Sequence, residues 1–462
     1  MTGTDLNIAP PRCSDRPVAE SALVSASVSR RRTAHALAAW TILVALGVLV
    51  VYHVLVAPGA SRLDAAPLHA AVDPRIEIWI VLPIAFGIVA ARGAIRVAAS
   101  ISWRWLLVTS WAFATAWTVS LAATRGWGRL TSQLQRPGEY LAVVPEIDSL
   151  TGFLDTFVES IRAFPVHVQG HPPGFVVVAW TMRQIGLGGP LPVSVLCIAV
   201  GAAAVPAVLI VIRETAGHGW ARRAAPFVAL SPAAIWVATS ADAFYAGVGA
   251  AAVAVVVLAI RRVGPSSDAY ALAGGALFAM TAFLSYGLVL LAALPLVIAV
   301  HRRRVRPIVL AVVGATPVFV AFAAAGFWWI DGLFATGGRY FAGIASRRPY
   351  EVFILANLSS FAIALGPAIA VALGRLRDSR MWLVVGGALF AVALADLSGM
   401  SKSEVERIWL PFAPFVLASG AALTGPAPAR RAGLLGLSVG GGWLAIQATA
   451  AILLESLVRT GW

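Results

Sequence analysis

Residues 105–140 read WLLVTSWAFATAWTVSLAATRGWGRLTSQLQRPGEY. From Trp105 to Ala123 no side chain is charged, and an apolar run of this length crosses ~30 Å of hydrocarbon as a helix. At Arg125 the character changes. The segment from Arg125 to Pro173 is wet and aromatic, and it carries Glu139, Glu146, Asp148, Asp155 and Glu159 among the 21 acidic residues of the chain. A chain that only had to span would join its helices by short turns. A long carboxylate-bearing loop between spans is a place for recognition or chemistry.

The rest of the sequence extends the first half of that pattern. Hydrophobic residues make up 59% and charged residues 12%, against roughly 25% charged in a soluble domain. Mean hydropathy is +0.84. Backbone polar groups in lipid must be satisfied within the segment, so the apolar runs are helices, and the alternating pattern of a membrane barrel is absent. The predicted fold is all-α, a polytopic bundle of about 13 spans by the length rule. The spans fall at 35–57, 78–98, 104–123, 190–212, 224–240, 243–260, 269–284, 286–300, 307–328, 352–373, 381–397, 408–424 and 432–454. Residues 1–33 mix Ser, Pro, Asp and Arg without periodicity and read as a disordered cytoplasmic tail. Residues 34–462 read as a single transmembrane domain with the 125–173 loop outside, and the 34–56 run as a retained span rather than a cleaved signal.

Charge distribution orients the bundle. With the N-terminus in the cytoplasm, most of the 35 basic residues fall on the inner side, in Arg92/Arg96/Arg104, Arg213/Arg222/Arg223, Arg261/Arg262, Arg302 to Arg306 and Arg375/Arg377/Arg380, while most acids fall outside. This is the positive-inside pattern. It explains the net charge of +14 without nucleic acid, and it puts the C-terminus outside. Phe175–Leu187 is apolar but short. A crossing there would invert every later Arg-rich loop, so it reads as a re-entrant or interfacial helix. The cysteines, Cys13 and Cys197, are too far apart in sequence to define a framework or a metal site. High Ala, Val, Arg and Gly usage suggests a GC-rich bacterial genome, hence a bacterial cytoplasmic membrane. No internal repeat of the transporter kind is visible.

Five groups of residues could carry chemistry. Pro137-Gly138-Glu139-Tyr140 turns the chain and presents a carboxylate at the membrane boundary, where partial desolvation would raise its pKa into the range of a general base. The plain alternative is a solvated loop Glu beside a belt Tyr. Glu146 and Asp148 are substitutes for that base, or acids at a helix start. His167-Val-Gln-Gly-His171-Pro-Pro-Gly174 mounts His171 on a rigid turn, suited to phosphate or sugar or, less readily, a metal; it could equally be a helix-opening turn. Asp396 to Trp409 gathers Lys402, Glu404, Glu406 and Arg407 before a span, where the cations could hold a phosphate or form a charged lip. Asp242 sits at the start of a span, where acids are functional by default, or caps a turn. The 328–351 loop, basic and aromatic, could touch a lipid headgroup or act as a solvated lid.

Together these residues resemble the GT-C class of integral-membrane glycosyltransferases, which use polyprenyl-phosphate sugars. The resemblance rests on Glu139-Tyr140 in a large first outer loop, on His171-Pro172-Pro173-Gly174 leading into an apolar helix, and on Ser231-Pro232 to Asp242, a span followed by an acid. Members commonly begin the acidic motif with two adjacent acids, whereas Gly138 precedes Glu139 here. The resemblance implies transfer of a sugar from a polyprenyl-phosphate donor to an envelope glycan, lipid or protein. Glu139 would be the base, with Asp148 and His171 in the catalytic group. Tyr140, His167, Asp242, Lys402, Glu404 and Arg407 would bind substrate. No cofactor is certain, and a divalent cation stays open. Two other classes remain: a transporter or lipid flippase, which would move substrate without a covalent product, and a non-catalytic scaffold for envelope assembly.

Overall fold

The computed structural model describes residues 16–57, 65–238, 240–425 and 437–460. Helices joined by turns and irregular loops make up the described residues, with one short antiparallel ladder that pairs Ala70–Val72 with Val458–Thr460, Ala71 opposite Arg459.

Eight helices among the described residues are long and apolar enough to cross a membrane, and a ninth crossing is available if Tyr350–Leu365 and Pro367–Arg375 count as one span bent by 94° at Gly366. The sequence pattern expects about 13. The difference lies in four stretches. At 224–240 the helix His218–Ala229 stops before Ser231-Pro232, and a 3-10 turn, Pro232–Trp236, follows. At 286–300 and 408–424 the apolar stretch is again split between 3-10 and α pieces. The 432–454 stretch begins in residues outside those described and continues as Val439–Leu457. Proline removes a backbone donor and clashes with the preceding turn, so Pro232 and Pro411 sit at the breaks of runs whose hydropathy alone predicts unbroken helices. The first helix begins at Arg16, with Pro17 at its second position. The tail expected at 1–33 is therefore helical from residue 16, an extension of the first span, and residues 1–15 lie outside the described ones.

The connections collect into two ends. At one, Arg213 and Arg261 flank Glu214, Arg306 pairs with Asp268, Arg222 donates to the Ala98 carbonyl, Trp220 to Asp378, and Arg375 to Thr33. At the other lie the ladder, the 125–173 loop, the Trp329–Ala342 helix and the 398–407 segment. The two groups correspond to the two sides of the charge map drawn from sequence. Arg125 ties the second end to the last helix. Its side chain is buried, donates to the Glu455 carbonyl (2.7 Å) and pairs with Asp73 and Glu455 at 3.3 and 3.6 Å.

Phe175 lies in a helix running from Gly174 to Gln184, about 16 Å at 1.5 Å per residue, which is too short to cross. Its start packs on the end of Pro265–Leu284, and its Arg183 donates to the Val144 carbonyl (3.1 Å). Both ends thus stay with the outer-loop group, and the helix walls the site described next.

Candidate functional site

The loop turns at Arg136-Pro137-Gly138-Glu139. Pro137 supplies the fixed φ of the second turn position, and the Glu139 N–H donates to the Arg136 carbonyl at 3.0 Å. The Gly138 carbonyl then accepts from the His167 N–H at 3.1 Å. That bond brings the two loop motifs side by side, with His167 Nε2 3.5 Å from Glu139 Oε1.

His171 is extended, φ −137° and ψ 159°, as the residue before a proline must be. Pro172 and Pro173 then direct the chain into the Gly174 helix. Gly174 is obligatory there: a β-carbon would stand 2.3 Å from the Phe283 carbonyl oxygen. This close approach presses the His171 turn against the bundle. The Tyr140 ring contacts His167, His171 and Phe175 at centroid separations of 6.2, 6.1 and 5.0 Å, and Tyr245 meets His171 and Phe175 at 5.6 and 5.8 Å.

The charged floor comes from two distant segments. Ser240 caps the Ala241–Arg261 helix: its Oγ accepts from the Asp242 N–H and donates to Asp242 Oδ2. The same carboxylate oxygen takes Arg407 Nη1, and Arg407 Nη2 bonds Glu404 at 3.2 Å. Arg407 is 4% exposed and Asp242 2%. A desolvated pair of this kind is costly to break.

The surroundings set the protonation states. Burial pushes the Glu139 carboxyl up to about 7; Arg407 and Arg136 pull it back while Asp242 and Glu404 add to the rise. Burial also drives His167 down to about 2 and His171 down to about 4, with Arg407 lowering both further. The two imidazoles are therefore neutral at neutral pH, and the Glu139–His167 contact is a polar contact rather than an ion pair. Burial opposes the Arg407 charge, but Asp242, Glu404 and Glu139 hold its pKa above the ordinary guanidinium value. The result is a carboxyl poised near neutrality, two neutral imidazoles, one permanent buried cation and aromatic walls. His171 Nδ1 has no hydrogen-bond partner among the described residues.

Of the residues expected from sequence, Glu139, Tyr140, His167, His171, Asp242, Glu404 and Arg407 converge here. Two do not. Asp148 is exposed, just before the Ser149 cap of the Leu150–Asp155 helix, because the turn that buries Glu139 has by then returned the chain to solvent. Lys402 turns its Nζ to the Ala345 carbonyl at 3.1 Å, while its backbone N–H donates to the Tyr340 hydroxyl oxygen at 2.8 Å; its ammonium is used to fix the neighbouring loop. Four contributors were not foreseen. Tyr245 follows Asp242 by three residues on one helix face, a spacing that could have revealed it. Arg136 precedes the Pro-Gly turn. Arg348 comes from the 328–351 loop, which read as a headgroup contact or a lid rather than as part of this site, and Asn357 from a predicted span with no local signal. Among the described residues no group of three or more His, Cys, Asp or Glu side chains is placed to hold a metal ion, and the site carboxylates face Arg407 and His167.

No family model matches the chain, and neither a curated protein nor a solved structure matches it.

Proposed function

We propose that the protein is a membrane glycosyltransferase moving a sugar from a polyprenyl-phosphate donor to an acceptor of the cell envelope. The observation that carries this is the meeting of Glu139, held near neutrality, with the buried Arg407 inside one aromatic-walled site. A base with a pKa near the working pH and a fixed cation for a leaving anion are the two requirements of such a transfer.

Glu139 takes the proton of an acceptor hydroxyl. The hydroxyl oxygen attacks the anomeric carbon and forms the new glycosidic bond. The bond from that carbon to the phosphate oxygen breaks, and polyprenyl phosphate leaves with the electron pair, its charge facing Arg407. The neutral imidazoles of His167 and His171 can accept or donate hydrogen bonds to sugar hydroxyls without adding charge, and Tyr140, Phe175 and Tyr245 offer faces for the ring. Asp242 is committed to Arg407, which leaves Glu139 as the base.

In this reading the chain passes the bacterial cytoplasmic membrane 13 times. Beyond the nine helical crossings, His218–Trp236, Tyr286–Arg302 and Ala413–Leu423 make broken or shorter passages and Val439–Leu457 makes the last, all sheltered by neighbouring helices. The N-terminus is cytoplasmic and the site faces outward, where the lipid-linked donor reaches it through the outer leaflet.

The test is direct. Purified protein is incubated with radiolabelled polyprenyl-phosphate sugars and envelope acceptors, and labelled product is counted. Glu139→Gln is expected to lose about 10²–10³-fold in rate, the usual share of a general base. Transfer at the wild-type rate in that variant removes Glu139 from the chemistry. Flux of the lipid across proteoliposomes with no covalent product would replace the transferase with a flippase.

A further inference from the structure

Glu404 is held in a conformation that an ordinary surface glutamate avoids. Ser403 and Glu404 are consecutive non-glycine residues in the left-handed region, φ 77° and 65°, a backbone state that persists only where the surroundings enforce it. The enforcement is visible. The buried Asn357 amide accepts from the Ser403 N–H at 3.1 Å through Oδ1, and its Nδ2 donates to the Ser401 carbonyl at 2.6 Å and to Asp396 at 2.9 Å.

The strained turn delivers one carboxylate between two guanidinium groups. Glu404 Oε2 is 3.2 Å from Arg407 Nη2, and Oε1 is 4.0 Å from Arg348 Nη2. Each oxygen faces a different arginine, the arrangement that two oxygens of a phosphate would take. Glu404 is also the accessible member of the row. Its side chain is 22% exposed, against 5% for Arg407 and 3% for Asp242. Arg348 is further fixed by its bond to the Lys402 carbonyl. With Glu404 seated, two carboxylates balance two arginines. Were it withdrawn, Asp242 alone would face Arg348 and Arg407, and one negative charge on a phosphate would restore the balance. The remaining titratable neighbours include His69, Glu406, Tyr340, Glu139 and His171.

We propose that Arg348 and Arg407 form a clamp for the two free oxygens of a phosphate group, and that Glu404 is a built-in substitute for that phosphate, seated by the strained Ser403-Glu404 turn and displaced when the ligand binds. The inference rests on the transferase reading only in making the phosphate that of the donor; the clamp itself is tested by binding alone.

Binding of ³²P-labelled inorganic phosphate and of farnesyl phosphate in detergent micelles is measured by equilibrium dialysis on the full chain. Each variant is first checked for a monodisperse size-exclusion profile. Glu404→Gln is expected to bind about tenfold tighter than wild type, since a charged competitor is lost. Adding Arg348→Ala should return affinity to the wild-type level or below. Ser403→Gly leaves the carboxylate in place but makes its seated conformation easy for the backbone, so affinity should fall about threefold. The two single variants move in opposite directions, and Ser403→Gly keeps the test open if Glu404→Gln does not fold. Equal affinity in wild type and Glu404→Gln, or tighter binding in Ser403→Gly, overturns the proposal. The expected order with both probes assigns the clamp to phosphate itself; the order with farnesyl phosphate alone assigns it to a lipid headgroup. Neither probe carries a sugar. The order therefore survives if no transfer is ever detected, and its absence in a protein that does transfer sugar removes the plug alone.

Discussion

Glu139 illustrates how a loop carboxylate acquires the basicity of a catalytic one. The Pro-Gly turn folds it under the short Val166–Gly170 helix that carries His167, burial favours its neutral form, and the cation that could have suppressed that effect is already engaged by Asp242 and Glu404. For the proposed transfer, kcat/KM should rise with pH through an acid limb near pH 7, the folded pKa of Glu139. The limb should disappear with the residual activity of Glu139→Gln, and a pH–rate profile over pH 5 to 9 decides it. The same shift has a stability consequence of fixed sign. A carboxyl whose folded pKa is raised from 4.5 to about 7 binds its proton more tightly folded than unfolded. It therefore lowers stability as pH rises from about 4.5 to about 7, with no further loss above. Glu406, pushed by burial up to about 7, acts in the same direction. His167 and His171, lowered from 6.5, act oppositely, and stability falls as pH drops below 6.5 because the unfolded imidazoles gain protons. Melting curves in detergent at pH 5 and pH 8 should show the stability of Glu139→Gln relative to wild type rising between the two, because the variant lacks the Glu139 share of the carboxyl decline while the Glu406 and imidazole contributions are common to both. An unchanged decline would place the Glu139 carboxyl in solvent.

The elements carry the argument from residue to site. The motif His171-Pro-Pro-Gly174 was legible as a rigid turn, and the short Phe175 helix as a non-crossing one, because both follow from local backbone rules. Gly174 owes its place to a contact that sequence shows only as permission: the Phe283 carbonyl against which it packs. Gly174→Ala is expected to cost about 1–3 kcal/mol, the range for overpacking a close-packed site, and to reduce activity further by lifting His171 from the Tyr140–Tyr245 pair. Thermal midpoint and transfer rate together test this, since activity lost without lowered stability would remove the packing explanation. Sequence could not show the role of 398–407. Its charges read equally well as a lip or a phosphate holder, and the choice between Lys402 and Arg407 depended on which side chain the Asn357 clamp turned inward. The expected span count was likewise higher than the eight helices, or nine crossings with the bent pair, that qualify among the described residues, since hydropathy counts residues while Pro232 and Pro411 break the helices that those residues would otherwise form.

On the scale of the molecule, chain order says little about the site. Residues 139, 242 and 407 are far apart in sequence, and they meet because each ends a connection at the same end of the bundle. That sorting was readable before any coordinates, because arginine-rich connections alternate with acidic ones along the chain, and two ends built from those same groups recur in the packing. The opposite end is laced by Arg213, Arg261, Arg306 and Arg375 with few acids between them. By the positive-inside rule we propose that this end lies in the cytoplasm, which would turn the site end outward. This orientation is required of a reaction whose donor waits in the outer leaflet, and it can be measured without knowing the sugar. In a background carrying Cys13→Ser and Cys197→Ala, single cysteines replace Glu159 in the exposed loop and Arg302 at the opposite end. A membrane-impermeant maleimide applied to intact cells should label position 159 fully and position 302 only after permeabilisation. The reverse pattern would turn the bundle over, put Glu139 and Arg407 on the side away from the donor, and end the proposed reaction whatever the chemistry of the individual residues.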